Sequence, residues 1–373
     1  MSSRLSLTQL SPAHPSGRPA APPNPDARSR PRHHGRTLID SHGRTIRDLR
    51  LSITDRCNFR CVYCMDPDVR FADARDLMTV PEMERIVRSC VALGVRNVRL
   101  TGGEPTVHPH LTEIIERISA TRGVEDLSMT TNGSLCTRET MRQWKRAGLH
   151  RLTFSLDSAS PKVFDAMTRQ AGGQRAGADA VVGAIRIAIE EGFTPVKVNA
   201  VVIRGRNESE VTKLAALARD IGFEMRFIEY MPLDSGHHWD PSLLVPADEI
   251  LDLIRAGGHD LLAAGRDEAS STSESYTFAG APPASPARIG IIAPVTRPFC
   301  GQCSRLRITA DAKIRPCLFS LEETDLMGSL RAGADDRTLE DHLLAAVWAK
   351  QAGHGISKPG FRQPARPMSA IGG

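Results

Sequence analysis

Residues 46–231 alternate six short runs of β-type residues with five amphipathic stretches of helical period. The predicted strands are 46–54, 97–101, 126–131, 151–156, 196–203 and 224–230. The predicted helices lie near 81–93, 110–120, 137–147, 178–191 and 208–221. Repeated β-then-α units dictate parallel strands joined by right-handed crossovers. Six of them predict an incomplete (β/α)6 TIM-type barrel of the α/β class. An open doubly wound sheet is the alternative.

The strands alternate. Leu49, Leu51 and Ile53 interleave with Arg50, Ser52 and Thr54; Val98 and Leu100 with Arg99 and Thr101; Leu152, Phe154 and Leu156 with Thr153, Ser155 and Asp157; Val196, Val198 and Ala200 with Lys197 and Asn199. Successive strand residues switch faces. The apolar face should meet the helices, which leaves the polar face for the lumen. Ordinary barrels fill that lumen with branched apolar residues. Inward Arg50, Arg99 and Lys197 instead predict a wide cavity for a large anion, unless each cation pairs with a neighbouring acid. The sixth strand does not alternate cleanly, so its Arg226 cannot be oriented this way.

Residues 232–373 lose the rhythm. A helix is expected around 246–256, then a Gly/Ala/Ser/Pro-rich stretch to about 287, short β runs near 288–293 and 304–310, and helices near 322–331 and 338–350. These residues read as a smaller α+β unit closing the open side of a barrel that spans 38–231.

Six of the eight cysteines form two triplets. Cys57-x3-Cys61-x2-Cys64 directly follows the first strand, at the catalytic end of a β/α barrel. Three thiolates can hold three irons of a cubane and leave the fourth open. A structural zinc would want four protein ligands, and no fourth cysteine or histidine lies nearby. The second triplet, Cys300-x2-Cys303-x13-Cys317, is less specific, because a C-x2-C pair can open a zinc ribbon; the second pair of a ribbon is missing. Within it, Arg305 and Arg307 share one strand face, either as surface charge or as a clamp on the acidic or purine edge of a substrate. Three more segments end strands: Gly102-Gly103-Glu104-Pro105, Thr130-Thr131-Asn132-Gly133 and Ser155-Leu156-Asp157. The glycines would let backbone approach a ligand, and Glu104 could accept bonds from an ammonium. Each segment alone is also ordinary turn chemistry.

The net charge of +5 sits in the tail: residues 1–36 hold six arginines and only Asp26 as an acid, so the body is formally neutral. A nucleic-acid-binding surface would put that charge on the fold. Seven prolines between Pro12 and Pro31 and few large apolar residues make 1–37 a disordered basic tail. No apolar run reaches the ~20 residues of a membrane span, and no export signal is legible. Clustered cysteines then suit a reducing, cytoplasmic compartment and metal rather than disulfides.

The segment Cys57-Asn58-Phe59-Arg60-Cys61-Val62-Tyr63-Cys64, led by Leu49-Arg50-Leu51-Ser52-Ile53-Thr54-Asp55-Arg56 and followed by Gly102-Gly103-Glu104-Pro105, resembles the radical S-adenosylmethionine (SAM) superfamily. The second triplet and the terminal Gly372-Gly373 narrow the resemblance to the branch of lyases that cyclise GTP at the start of molybdenum cofactor biosynthesis. It covers residues from about 38 to 373.

The resemblance implies two [4Fe-4S] clusters, on Cys57, Cys61 and Cys64 and on Cys300, Cys303 and Cys317. One electron would cleave SAM to a 5′-deoxyadenosyl radical that takes the 3′ hydrogen of GTP, and the sugar radical would attack C8 of guanine. It implies SAM contacts from Tyr63, Gly103, Ser155 and Met231. It implies GTP contacts from Arg50, Arg99, Thr130, Lys197, Arg305, Leu306 and Arg307, with guanine at the second cluster and Gly372 and Gly373 reaching into the site. Implied partners are an electron donor protein or reductant and a downstream cyclic pyranopterin monophosphate synthase. The oligomeric state is open, a homodimer included. The competing readings are a peptide-modifying radical SAM enzyme and a zinc-stabilised binding module without catalysis.

Overall fold

The computed structural model describes residues 36–170 and 176–372. The expected tail and Gly373 therefore lie outside the described residues, apart from Arg36 and Thr37. Arg36 pairs with Glu340 at 2.5 Å.

The six predicted strands form as β1 (Asp48–Ser52), β2 (Asn97–Thr101), β3 (Asp126–Thr131), β4 (Arg151–Ser155), β5 (Lys197–Val202) and β6 (Glu224–Glu229). The helices are α1 (Val80–Ala92), α2 (Leu111–Ser119), α3 (Arg138–Arg146), α4 (Pro161–Thr168), α5 (Ala178–Glu190) and α6 (Val211–Ile221). The periodicity does not predict α4, a helix of eight residues opened by Pro161. Strands β1 to β6 stand in chain order and pair in parallel throughout. A doubly wound sheet reverses its order at a switch point. No reversal occurs here, and the sheet does not close on itself, so the fold is the incomplete barrel.

The rest of the chain supplies α7 (Ala247–Ala256), β7 (Leu261–Gly265), β8 (Glu274–Phe278), β9 (Arg288–Ile292), β10 (Arg305–Ile308), β11 (Lys313–Arg315), β12 (Thr324–Asp325), α8 (Met327–Arg331) and α9 (Asp336–Trp348). These strands extend both edges of the barrel sheet: β9 pairs in parallel with β6, and β10 in parallel with β1. The antiparallel additions β8-β7 and β11-β12 form the outer edges. Strands β7 and β8 fall in the small-residue stretch, where neither alternation nor β-branching marks them.

Alternation sorts the faces as expected. Leu49, Leu51, Val98, Leu100, Leu152, Phe154 and Val198 are buried in the main core with the helices. Arg50, Arg99 and Lys197 point the other way, into a cavity. No helix among the described residues is long and apolar enough to cross a membrane.

Candidate active site

The first triplet sits on the loop leaving β1. Its backbone is sewn to the α4 end: Arg60 N donates to Thr168 O at 2.8 Å and Val62 N to Met167 O at 3.0 Å. The Arg60 guanidinium donates to Cys57 O at 2.7 Å and lies over the Phe71 ring. Burial pushes the Cys57 and Cys64 thiols up to about 12, and Cys61 upward too; Glu104 adds to the rise at Cys57 and Asp157 at Cys61. The three thiols also act on one another, most evidently at Cys61. Such thiols become thiolates when a metal cation replaces their protons. Among the described residues no Cys, His, Asp or Glu group converges to hold a single metal ion. A cubane needs no common point, since its corners are separate irons. Three buried thiols on one short loop, each acting electrostatically on its neighbours, fit three corners of such a cluster.

The Gly102-Gly103-Glu104 segment docks on the backbone that leads into this loop. Gly103 N donates to Thr54 O at 2.9 Å and Glu104 N to Arg56 O at 2.8 Å. A Cβ on Gly103 would lie 2.2 Å from Arg56 O, so the glycine is required by chain-to-chain contact. Glu104 also has a structural task. It is buried, and its carboxylate accepts from Asn132 N at 2.6 Å, Thr131 Oγ1 at 2.7 Å and Thr106 Oγ1 at 2.7 Å. It fastens the end of β3 to the end of β2.

Tyr63 is buried beside Met167, Val201, Ile203 and Tyr230. Its hydroxyl donates to Asp157 Oδ2 at 2.9 Å, and Val201 N donates to Asp157 Oδ1 at 2.8 Å. Ser155 ends β4, opposite Asn199 of β5. Met231 follows β6 and lines the cavity. All four expected SAM-contacting residues thus lie at or just past the C-terminal ends of barrel strands.

The cavity has a volume of about 410 Å³, within the range of nucleotide-sized pockets. Register places Arg307 opposite Arg50 and Arg50 opposite Arg99, so three guanidiniums stand side by side across β10, β1 and β2. Arg50 is the extreme case: burial, then Arg307, Arg99, Arg305 and Arg226, push its pKa well below the usual guanidinium value. Burial first, then like charges, brings Arg99 and Arg307 each to about 10. Arg99 donates to Thr153 Oγ1 at 2.9 Å and to Thr130 Oγ1 at 3.4 Å, not to an acid. Lys197 does pair, with Glu224 at 2.9 Å. Arg226 also lines the cavity; its orientation was hidden because Ile228 occupies the next inward position of β6. Leu306 faces away: its side chain is fully buried in the main core and takes no part in the cavity wall.

Cys300, Cys303 and Cys317 all border this cavity. Burial would raise Cys303, but Arg305, Lys350 and an amide bring it down to about 7. Lys350, after α9, donates to Arg305 O at 2.7 Å and to Pro316 O. Arg44, held by Asp40 at 2.6 Å, donates to Cys300 O at 2.8 Å. Gln351 Nε2 lies 3.5 Å from Cys317 Sγ. No sequence motif marks Lys350, Arg44 or Gln351; they reach the triplet only through the fold.

The C-terminal segment enters the barrel. Ser369 Oγ reaches Cys64 O at 3.5 Å, Ile371 is fully buried, and Arg307 donates to Gly372 O. Gly372 has φ +68°, and a Cβ there would lie 2.6 Å from Ser52 Oγ and 2.7 Å from Thr101 Oγ1. Only glycine fits.

Residues 51–218 match the model of the Radical SAM superfamily, and residues 223–356 that of Molybdenum Cofactor Synthesis C. Streptococcus suis SuiB, crystallised with S-adenosylmethionine, shares the fold with a TM-score of 0.59 at 13% identity, over 86% of this chain and 76% of SuiB. Barrel, cysteine loop and family model define a radical SAM protein. Among curated relatives, a GTP 3′,8-cyclase of Streptomyces coelicolor is 44% identical over 93% of this chain and 99% of its own length. One from Rhodopirellula baltica is 42% identical over 90% and 92%. The chain belongs to the GTP 3′,8-cyclase family.

Proposed function

We propose that this chain converts GTP to (8S)-3′,8-cyclo-7,8-dihydroguanosine 5′-triphosphate, the first step of molybdenum cofactor biosynthesis, with two [4Fe-4S] clusters and SAM. The observation that carries this reading is the Arg307–Arg50–Arg99 row, a buried like-charge line that calls for a polyanion in the cavity. When bound, the first cluster and SAM supply a reductive cleavage and the abstraction of the 3′ hydrogen of the substrate ribose.

The residues divide the work. Cys57, Cys61 and Cys64 hold the first cluster, and Cys300, Cys303 and Cys317 the second. Tyr63, Gly103, Ser155 and Met231 contact SAM; Asp157 fixes the tilt of Tyr63. Arg50, Arg99, Arg226 and Lys197 neutralise the triphosphate, and Thr130 keeps the Arg99 guanidinium in place. Arg305 and Arg307 lie between the second triplet and the barrel wall, with Leu306 limited to its backbone. Ile371 and Gly372 close the lumen against water, which protects a reactive intermediate.

In this reading residues 38–231 are the catalytic barrel and 232–373 the unit that completes the substrate site. A reductant or electron donor protein meets the cysteine loop of the first triplet, a cyclic pyranopterin monophosphate synthase consumes the product, and the chain works in the cytoplasm. Anaerobic incubation with GTP, SAM and dithionite, followed by mass analysis, tests it. A 3′,8-cyclised nucleotide is expected; 5′-deoxyadenosine without that product would overturn the reading.

A further inference from the structure

Arg366 ties the C-terminal segment down just before it enters the barrel. Its guanidinium grips Asp311 in two places: Nη1 donates to Oδ1 at 3.0 Å and Nη2 to Oδ2 at 2.7 Å. Its Nε lies 2.9 Å from Glu323 Oε1. An isolated surface ion pair contributes little, but a bidentate, partly buried guanidinium shared by two carboxylates is the strong form of the contact. Both carboxylates are themselves fixed. Asp311 sits in the turn from β10 to β11, where the Thr309 hydroxyl donates to it at 2.6 Å. Glu323 also takes the Arg315 guanidinium, which is buried and donates to Ser320 O at 2.6 Å. Ser320 Oγ in turn accepts from Cys317 N at 3.1 Å.

The anchor therefore belongs to the hairpin that carries Arg307 on β10, and it reaches the turn that carries Cys317. Beyond it the chain is short and stiff. Pro367 disfavours helical backbone at Arg366 and fixes its own φ at −71°. Met368–Ala370 form a 3-10 turn, Met368 N donates to Leu233 O at 3.1 Å, and Gly372 O then accepts from Arg307. Holding Arg366 on Asp311 thus sets where Gly372 falls relative to Arg307. We propose that Arg366 is a positioning residue, which pins the C-terminal segment to the β10–β11 hairpin through Asp311 and Glu323 and so keeps Gly372 seated against Arg307. Its effect on the reaction rests on the reading that GTP is cyclised in this cavity.

The test compares full chains, wild type, Arg366→Ala, Arg366→Lys and Asp311→Asn, each reconstituted anaerobically, by hydrogen–deuterium exchange with mass analysis and by turnover. The amides of Met368, Ala370 and Ile371 are hydrogen-bonded in the seated segment, so their exchange reports seating without any chemistry. In Arg366→Ala they should exchange about tenfold faster, while amides of β1 to β4 keep their wild-type rates. Cyclised nucleotide formed per 5′-deoxyadenosine should fall about tenfold, with iron still at about eight per chain. Asp311→Asn should move both readouts the same way. Arg366→Lys, which keeps one charged bond, should fall between wild type and Arg366→Ala. Unchanged exchange in Arg366→Ala would overturn the proposal. So would faster exchange throughout the chain or loss of iron, which would assign Arg366 to the fold at large, or a loosened segment with an unchanged product ratio. A wild-type chain that forms no cyclised nucleotide would instead overturn the proposed function, and the exchange rates would still decide the anchor.

Discussion

Arg307 donates a hydrogen bond to the carbonyl of Gly372, the next-to-last residue of the chain. The same guanidinium stands in the row with Arg50 and Arg99. One side chain therefore senses both the substrate space and the seating of the C-terminus.

Replacing Arg307 with Ala should separate the two halves of the reaction. The cyclised product should fall about 30- to 100-fold, the effect of losing a charged hydrogen bond in a buried site. SAM cleavage should continue within about threefold, because the first triplet and Tyr63 are untouched. Quantifying 5′-deoxyadenosine and cyclised nucleotide in one reaction checks this, and an equal fall of both would remove Arg307 from the substrate site. Deleting residues 372–373 should give the same split.

The two triplets should load independently. Cys317→Ala should retain about four irons and SAM cleavage but lose cyclisation. Cys57→Ala should also retain about four irons yet lose both activities. Iron analysis with electron paramagnetic resonance of the reduced protein distinguishes them; 5′-deoxyadenosine from Cys57→Ala would contradict the assignment of the open site.

Gly103→Ala forces a methyl group into the Arg56 carbonyl, 2.2 Å from where the Cβ would sit. The loop must move away from residues 54–56, at a cost of about 3 kcal/mol. First-cluster iron and SAM cleavage should drop together, while second-cluster iron stays. Normal iron loading in this variant would show that the docking is dispensable.

Glu229 ties the end of β6 to the C-terminal unit. Its carboxylate accepts from Ala247 N at 3.0 Å, Val295 N at 2.9 Å, Thr296 N at 2.9 Å and the Thr296 hydroxyl. In Glu229→Gln an NH2 would face those donors, costing about 3 kcal/mol by urea unfolding. Burial raises the pKa of Glu229 above 4.5 in the native state. The native chain then holds this proton more tightly than the unfolded one, so the contribution is complete below about 4.5 and is lost as pH rises through the native value. The stability gap between wild type and Glu229→Gln should narrow as pH rises above about 4.5; a gap that widens would refute the sign.

Much of the site was legible because strand alternation is a strict rule: it oriented Arg50, Arg99 and Lys197 without any knowledge of the fold. Lys197 nonetheless finds Glu224, so only part of the inward charge awaits a ligand. Leu306 was expected among the GTP contacts from the resemblance alone; the same alternation turns its side chain away from Arg305 and Arg307 and into the main core. It was silent on Lys350, Arg44 and His354, which lie on loops and reach the second triplet only because α9 packs against α1 and β11. The glycines were read as room for a ligand; Gly102 and Gly103 also make room for the backbone of 54–56, a demand that only the fold reveals. Small-residue strands such as β7 carry no pattern to read.

Strand β1 is the first strand of the barrel to leave the ribosome, and one of its two parallel neighbours, β10, is among the last. Through most of synthesis that edge is bare, a template for unwanted pairing. The arginine row cannot assemble until Arg307 arrives, and the contact of Arg307 with Gly372 forms only after that. A chain cut short upstream of residue 305 would own the radical-generating loop without a vessel to confine it, so intactness of the C-terminus acts as a physical licence for the chemistry.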